Sequence, residues 1–163
     1  YAYTSLLSRA QETLNIILRV LKQQPTIKKN IALNERNYGV FTGKNKWDIK
    51  KELGVLKFKA LRRSWDCPIQ GGESLKEVYT RVVPYYKKEI LPKLKAGKNV
   101  LISAHGNSLR ALVKYVESIS DKKIADIEIG TGESWIYEID SINSAVSPAL
   151  FISPISLLST PLS

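Results

Sequence analysis

One histidine occurs in this chain, and it stands where a short apolar run gives way to an amphipathic stretch. The run ends at Ala104, His105 follows, and apolar residues at helical spacing continue from Ser108. This pattern predicts a buried strand that turns into a helix at His105. In α/β proteins such a turn lies at the carboxyl edge of the sheet, where helix N-termini offer free N–H groups to anions. Gly106 permits close approach of the backbone to a ligand, and Asn107 or Ser108 can cap the helix, so the position favours phosphate chemistry.

Three arginines and a polar loop provide further candidates for anion chemistry. Arg62 and Arg63 close a predicted helix, and adjacent guanidinium groups suit a bidentate grip on phosphate or carboxylate. The same pair could instead interact with the C-terminal dipole of the helix. Arg9 lies in the first predicted helix, where a plain surface charge is the simpler interpretation. Residues 33–39 form a dense polar run that indicates either a functional loop or an ordinary solvated turn.

Taken together, these candidates indicate a site that handles phosphate. Phosphoryl transfer needs positive charge around the equatorial oxygens, a positioned nucleophile and a proton shuttle. The arginines and His105 could supply the positive charge, and Glu35 in the polar loop could be the shuttle. A Ser-His-Asp hydrolase is a weaker interpretation, because the chain has no Gly-x-Ser-x-Gly motif.

The elements that must position these residues follow from the spacing of apolar side chains. Helices that alternate with few, apolar strands predict an α/β fold with a mostly parallel sheet flanked by helices. We expect a break at Gly54 between two helical pieces and a kink at Pro84 in a later helix. The predicted helices cover residues 5–22, 47–53, 55–65, 75–94 and 108–119, and a last strand covers 135–139.

Size and composition fit one domain. The chain has 163 residues, 44% of them hydrophobic, which is enough for a single core. We expect the domain to span residues 1–140, followed at 141–163 by an uncharged tail, rich in serine, that is poorly ordered. The single cysteine, Cys67, excludes an internal disulfide framework, no residues have zinc-ligand spacing, and no apolar run is long enough to span a bilayer. These features predict a cytoplasmic protein with no metal and no membrane partner.

The chain is basic, with a formal net charge of +10 at pH 7. Such a balance is compatible with nucleic acid or with phosphate-rich ligands. Many of the lysines, however, lie on predicted helix faces that meet solvent, and aromatic residues are not interleaved with them as in a stacking platform. Nucleic acid is therefore not an expected partner.

Several of these segments together resemble the cofactor-dependent phosphoglycerate mutases of the histidine phosphatase superfamily. The resemblance runs over residues 3–140, and the Asn-Glu-Arg-x-Tyr-Gly and Ala-His-Gly-Asn-Ser-Leu-Arg segments are highly specific in combination. The direct step from Asp66 to Gly71 is similar to the short bacterial members. The matching segments are Ser8-Arg9-Ala10, Leu33-Asn34-Glu35-Arg36-Asn37-Tyr38-Gly39, Arg62-Arg63-Ser64-Trp65-Asp66, Gly72-Glu73-Ser74-Leu75 and Ala104-His105-Gly106-Asn107-Ser108-Leu109-Arg110.

The resemblance implies the interconversion of 2-phosphoglycerate and 3-phosphoglycerate in glycolysis and gluconeogenesis. It also implies a phosphohistidine enzyme primed by 2,3-bisphosphoglycerate, without a metal, and it is compatible with a homo-oligomer. Carried over by motif, Glu35 exchanges the proton of the substrate hydroxyl, and His105 stabilises the transferring phosphoryl group. The residues that match substrate-binding positions are Arg9, Glu35, Arg36, Asn37, Tyr38, Lys46, Arg62, Arg63, Gly106 and Asn107.

Three departures from the family pattern shape our expectations. The family's nucleophilic histidine lies in an Arg-His-Gly motif at the end of the first strand, and this chain has no such motif. We therefore expect an N-terminally truncated domain that lacks its first strand and phosphate loop, exposes a sheet edge and is inactive alone. Residues 131–134 differ from the family's Thr-Gly-x-Pro turn, and the tail is uncharged rather than basic. A histidine-type phosphatase of the same superfamily and an inactive phosphate-binding remnant stay open as alternatives.

Overall fold

Three short parallel strands form the centre of the fold. The computed structural model describes residues 1–140 and, for the backbone alone, residues 146–152. Tyr3 of the middle strand lies opposite Lys28 on one side and Ile102 on the other. Because the strands are parallel, their carboxyl ends meet at the same edge of the sheet. The strands are β1 (Ala2–Thr4), β2 (Ile27–Lys29) and β3 (Leu101–Ser103), in the order β2-β1-β3.

The start of the chain differs from the prediction. Helix α1 covers Ser8–Val20, so the expected helix start at residue 5 is wrong. Ala2–Thr4, near the start of the chain, form the buried middle strand. Three-residue strands such as β1 and β2 are too short to show an alternating pattern, which explains why the sequence did not reveal them. In the described part of the chain, β3 pairs only with β1, so its other edge has no partner strand.

The glycine break predicted in the second helical region is confirmed. Helix α2 (Lys46–Arg63) is interrupted at Gly54, where the backbone has φ 74° and ψ 164°. A positive φ of this size is readily adopted by glycine but strains other residues. The helix therefore changes direction at Gly54 and ends with Arg62 and Arg63, two residues earlier than predicted.

The next helical region along the chain begins at a capping box and includes the kink predicted at Pro84. The Ser74 hydroxyl accepts a hydrogen bond from the Glu77 N–H, and the Glu77 carboxylate accepts one from the Ser74 N–H. Just after Pro84 the helix widens into one π turn, because proline removes a backbone donor from the ladder. The pieces are α3 (Leu75–Tyr85), the π turn (Tyr86–Ile90) and α4 (Leu91–Lys95), and the helix that follows β3 is α5 (Gly106–Val116).

The main core lies between the parallel sheet and the pair α3 and α5. Its buried residues come from the middle strand, from both helices and from the loops that flank them, so the helices are fixed relative to the carboxyl edge of the sheet. Its members are Tyr3, Leu33, Leu75, Val78, Val82, Tyr86, Ile90, Ala111, Leu112 and Ile124.

A two-stranded antiparallel sheet follows α5. Strand β4 (Ser134–Ile139) pairs with β5 (Val146–Ile152), with an irregularity of register between Ile136 and Tyr137. Strand β5 lies within the predicted tail 141–163; residues 141–145 and 153–163 lie outside the described residues. Within the described residues, no helix has the length and apolar character needed to cross a membrane.

Candidate active site

His105 lies at the junction between β3 and α5, as the sequence predicts. It is the residue immediately before α5, and its ring is almost completely buried. The His105 N–H donates to Oγ of Ser108 (3.1 Å), and the Ser108 hydroxyl donates back to the His105 carbonyl (3.0 Å). Of the two predicted capping residues, Ser108 makes the contact. This reciprocal pair fixes the backbone that carries the imidazole.

The imidazole of His105 is held by a residue from the far end of the sequence. Its Nε2 lies 2.8 Å from Oγ of Ser5, the first residue after β1. Burial lowers the pKa of His105 below its ordinary value; the nearby Glu35 carboxylate opposes this, whereas the positive charge of Arg9 adds to it. The lowered pKa therefore favours the neutral imidazole at neutral pH.

Glu35 belongs to a hydrogen-bonded group at the start of α5. Its Oε1 accepts bonds from the Arg36 N–H (2.7 Å) and from Nδ2 of Asn107 (3.0 Å). The same Asn107 nitrogen donates to the Tyr38 hydroxyl at 3.1 Å. Asn107 thus joins two residues of the polar loop to the helix that follows His105. The resemblance placed these three side chains in one site, and the structure brings them together.

Arg81 on α3 fixes the polar loop and is a residue that the sequence analysis did not single out. It forms a bidentate ion pair with Glu73, with N–O distances of 2.7 and 3.0 Å, and both partners are largely shielded from solvent. Its remaining hydrogen bonds go to the carbonyls of Ala32, Asn34 and Glu35. Arg81 therefore holds the backbone of Glu35 in place. The only signal in the sequence is a lone arginine on the helix after the Gly72 turn.

Two glycines allow the same loop to approach the turn before α3. A Cβ on Gly39 would lie 2.1 Å from the Gln70 carbonyl oxygen, and a Cβ on Gly72 would lie 2.7 Å from the Asn37 carbonyl oxygen. Backbone therefore meets backbone here, and no larger residue fits without movement. The Asn37 N–H donates to the Glu73 carboxylate (2.9 Å), which closes the contact.

The polar loop, the end of α2 and the start of α5 surround a cleft of about 220 Å³. Six of the residues that line it match the predicted catalytic or binding set. Three more were not predicted as site residues, and two of these carry charge. The predicted members are Glu35, Tyr38, Arg62, Arg63, Gly106 and Asn107, and the additional ones are Arg110, Glu128 and Ile129.

Arg110 forms the buried floor of this cleft. Its guanidinium donates to the carbonyls of Arg63 (2.9 Å) and Ile124 (2.7 Å) and to Oδ1 of Asn107 (3.2 Å). Burial lowers the pKa of Arg110 to about 10, and the charges of Arg63 and Arg36 contribute, so the group stays protonated at neutral pH. Arg110 was part of the quoted motif, but a buried role cannot be recognised from the motif alone.

Four predicted binding residues do not line the cleft. Arg36 is buried; it donates to the Leu61 carbonyl and lies with its guanidinium carbon 4.4 Å from the centre of the Tyr38 ring. Asn37 accepts a bond from the Gly39 N–H and so stabilises its own turn. Arg36 therefore contacts α2 and the ring of its own loop, whereas Asn37 bonds within the loop. The other two, Arg9 and Lys46, are exposed near the starts of α1 and α2.

Comparisons with known proteins show the family of this chain. Residues 1–147 match the histidine phosphatase superfamily (branch 1). A 2,3-bisphosphoglycerate-dependent phosphoglycerate mutase of Bradyrhizobium diazoefficiens is 48% identical over 90% of this chain and 71% of its own length. The chain belongs to the phosphoglycerate mutase family of that superfamily. Mutases of the same name from Parvibaculum lavamentivorans and Cytophaga hutchinsonii are 47% and 46% identical, over 93% and 99% of this chain and 72% and 74% of their own.

Solved structures show that the α/β fold of this phosphoglycerate mutase family member is shared more widely. Bacillus stearothermophilus YhfR superimposes with a TM-score of 0.75 at 24% identity, over 91% of this chain and 71% of its own. A mycobacterial glucosyl-3-phosphoglycerate phosphatase in complex with inorganic phosphate superimposes with a TM-score of 0.76 at 18% identity, over 91% of this chain and 74% of its own. At such identities the likeness concerns the fold. Within the described residues, no three His, Cys, Asp or Glu side chains form a group that could hold a metal ion.

Proposed function

We propose that the chain serves the interconversion of 2-phosphoglycerate and 3-phosphoglycerate, with 2,3-bisphosphoglycerate as the priming phosphate donor. The observation that carries the proposal is the hydrogen bond from Asn107 to Glu35 inside a cleft lined by Arg62 and Arg63. It puts a carboxylate that can exchange a proton beside cations that can grip phosphate. Relatives 46–48% identical that carry the mutase name support the choice of reaction.

Anion binding is the first task of the cleft residues. Arg62 and Arg63 come from the last turn of α2, and both residues line the cleft. Arginine can hold a phosphate or a carboxylate through two parallel N–H bonds. The N-terminus of α5, at Gly106, adds free backbone N–H groups. A phosphoglycerate has one group of each kind, and this donor set fits both of them and 2,3-bisphosphoglycerate as well.

Proton transfer and charge stabilisation are the second task. The Glu35 carboxylate, oriented by Asn107 and by the Arg36 N–H, takes a proton from the substrate hydroxyl or returns it. The lowered pKa of His105 favours its neutral form, and a phosphoryl group beside it would favour its protonation. When bound, 2,3-bisphosphoglycerate supplies the phosphoryl group that primes the enzyme. The phosphoryl acceptor in this scheme is a second histidine, and residues 1–163 contain one histidine only.

Calorimetric titration with 3-phosphoglycerate tests the anion-binding part of this proposal. We expect the chain to bind, and Arg62→Gln to weaken binding by about tenfold or more, because a charge-assisted bidentate contact is lost. Arg19→Gln is the matched control, since Arg19 is an exposed arginine on α1 outside the cleft. A failure to bind, or an equal loss in both variants, would contradict the proposal.

Treatment with 2,3-bisphosphoglycerate followed by mass spectrometry tests the role of His105. We expect no phosphate on His105, because its Nε2 is occupied by Ser5 and its ring is buried. Stable labelling of His105 would show that it is the acceptor and would overturn its assigned role. Release of inorganic phosphate as the main product would favour the phosphatase alternative. If a chain extended by an Arg-His-Gly strand bound phosphoglycerate but did not turn it over, the alternative of an inactive phosphate-binding remnant would be favoured. A cytoplasmic location and a homo-oligomer stay predictions.

A further inference from the structure

A carboxylate of the protein itself lies against one of the arginines of the cleft. Glu128 follows the short helical turn Lys123–Asp126 and precedes β4. Its Oε1 is 2.6 Å from Nη2 of Arg63, and both residues line the cleft. An incoming phosphate or carboxylate that uses the same guanidinium edge must therefore displace Glu128.

The local charges keep Glu128 ionised. The hydrogen bond and the charge of Arg63 lower the pKa of Glu128, and the positive charges of Arg62 and Arg110 act in the same direction. All three cations of the cleft thus attract this carboxylate, as they would attract a ligand. Glu128 is thus a second carboxylate in the cleft lining, in addition to Glu35.

The loop that carries Glu128 has a defined shape. One oxygen of Glu133 accepts a bond from the Gly130 N–H (2.6 Å), and the other accepts one from Nε1 of Trp135 (3.0 Å). Ile129, next to Glu128, also lines the cleft. Glu128 therefore lies two residues before a turn that these hydrogen bonds close.

We propose that Glu128 competes with anionic ligands for Arg63 and thereby sets the affinity of the cleft for phosphoglycerate. The choice of ligand rests on the proposed function. The Glu128 side chain is 71% exposed, and an exposed ion pair is weak enough to exchange. Glu128 is therefore a replaceable partner that lowers affinity without blocking the cleft. Its proposed effect is on affinity alone.

Glu128→Gln tests this competition in calorimetric titrations with 3-phosphoglycerate at low ionic strength. We expect the dissociation constant to fall about threefold to tenfold, because the ion pair and the repulsion of the ligand disappear together. The gain should shrink at high salt, since exposed charges are screened. In a protein that already carries Arg63→Gln, adding Glu128→Gln should change the dissociation constant little.

Asp121→Asn is the matched control. Asp121 pairs with Lys114 at 2.7 Å and is 66% exposed, so this change also removes one exposed, paired carboxylate. Asp121 lies outside the cleft lining, and we expect its substitution to leave the dissociation constant unchanged. An equal gain in both variants, or none in Glu128→Gln, would overturn the competition.

Inorganic phosphate is the second probe and separates the two proposals. If Glu128→Gln binds inorganic phosphate more tightly than the unmodified chain while neither binds 3-phosphoglycerate, the competition holds and the proposed function fails. If 3-phosphoglycerate binds equally to both proteins, the proposed function stands and the competition is wrong. If neither ligand binds to either protein, both proposals fail.

Discussion

Arg110→Met is expected to lower the free energy of unfolding by about 3 kcal/mol or more, because it removes the donor to the Ile124 and Arg63 carbonyls and to the Asn107 amide oxygen. The guanidinium of Arg110 is almost completely buried and joins three parts of the chain: the end of α2 at Arg63, the turn at Ile124 and the start of α5 at Asn107. Urea denaturation measures the effect.

The same substitution is expected to weaken 3-phosphoglycerate binding about tenfold in calorimetry, since one charge and the orientation of Asn107 are lost. Arg110 bonds to Oδ1 of Asn107, which directs Nδ2 toward Glu35 and Tyr38. Arg110→Lys keeps the charge but cannot reach all of the carbonyls, so it should give intermediate losses in both measurements. If both variants were as stable as the unmodified chain, the hydrogen bonds of Arg110 would not contribute to the stability of the fold.

Arg81→Met is expected to lower the free energy of unfolding by about 2–3 kcal/mol, less than for a fully buried pair because both partners retain some exposure. It removes the bidentate pair with Glu73 and the donors to three loop carbonyls. The backbone of Glu35 then loses its fixed position, so binding of 3-phosphoglycerate should weaken as well. Chemical denaturation and calorimetry check the two effects.

The pH dependence of stability gives an independent test of the Arg81–Glu73 pair. Burial alone would raise the pKa of Glu73, but the hydrogen bonds from Arg81 and from the Asn37 N–H outweigh it and lower the pKa below the ordinary value of 4.5. The pair therefore stabilises the fold above that value, and the contribution is lost as the pH falls through the lowered pKa. Arg81→Met should reduce this acid-side loss, and Arg81→Lys should retain part of it. An unchanged acid-side profile in Arg81→Met would contradict the assignment.

The sequence was most informative where periodic signals are long. The helix around Pro84 was predicted from several turns of apolar spacing, and the break at Gly54 was predicted from the glycine itself. The strand-to-helix turn at His105 was equally clear, since an apolar run ends there and a polar cap follows. The short strands β1 and β2 gave no comparable signal, and neither was among the predicted elements.

By itself, the sequence determined the α/β class, the place of His105 and the cluster of Glu35, Arg62 and Arg63, because local spacing and motif chemistry carry that information. Only the tertiary structure decided what holds these groups in place. Ser5 meets His105 across 100 positions of the chain, and Arg81 holds a loop 46 positions away. The tertiary structure also brings Glu128 into an ion pair with Arg63. Such contacts depend on the packing of distant elements against one core, which no local pattern of residues specifies.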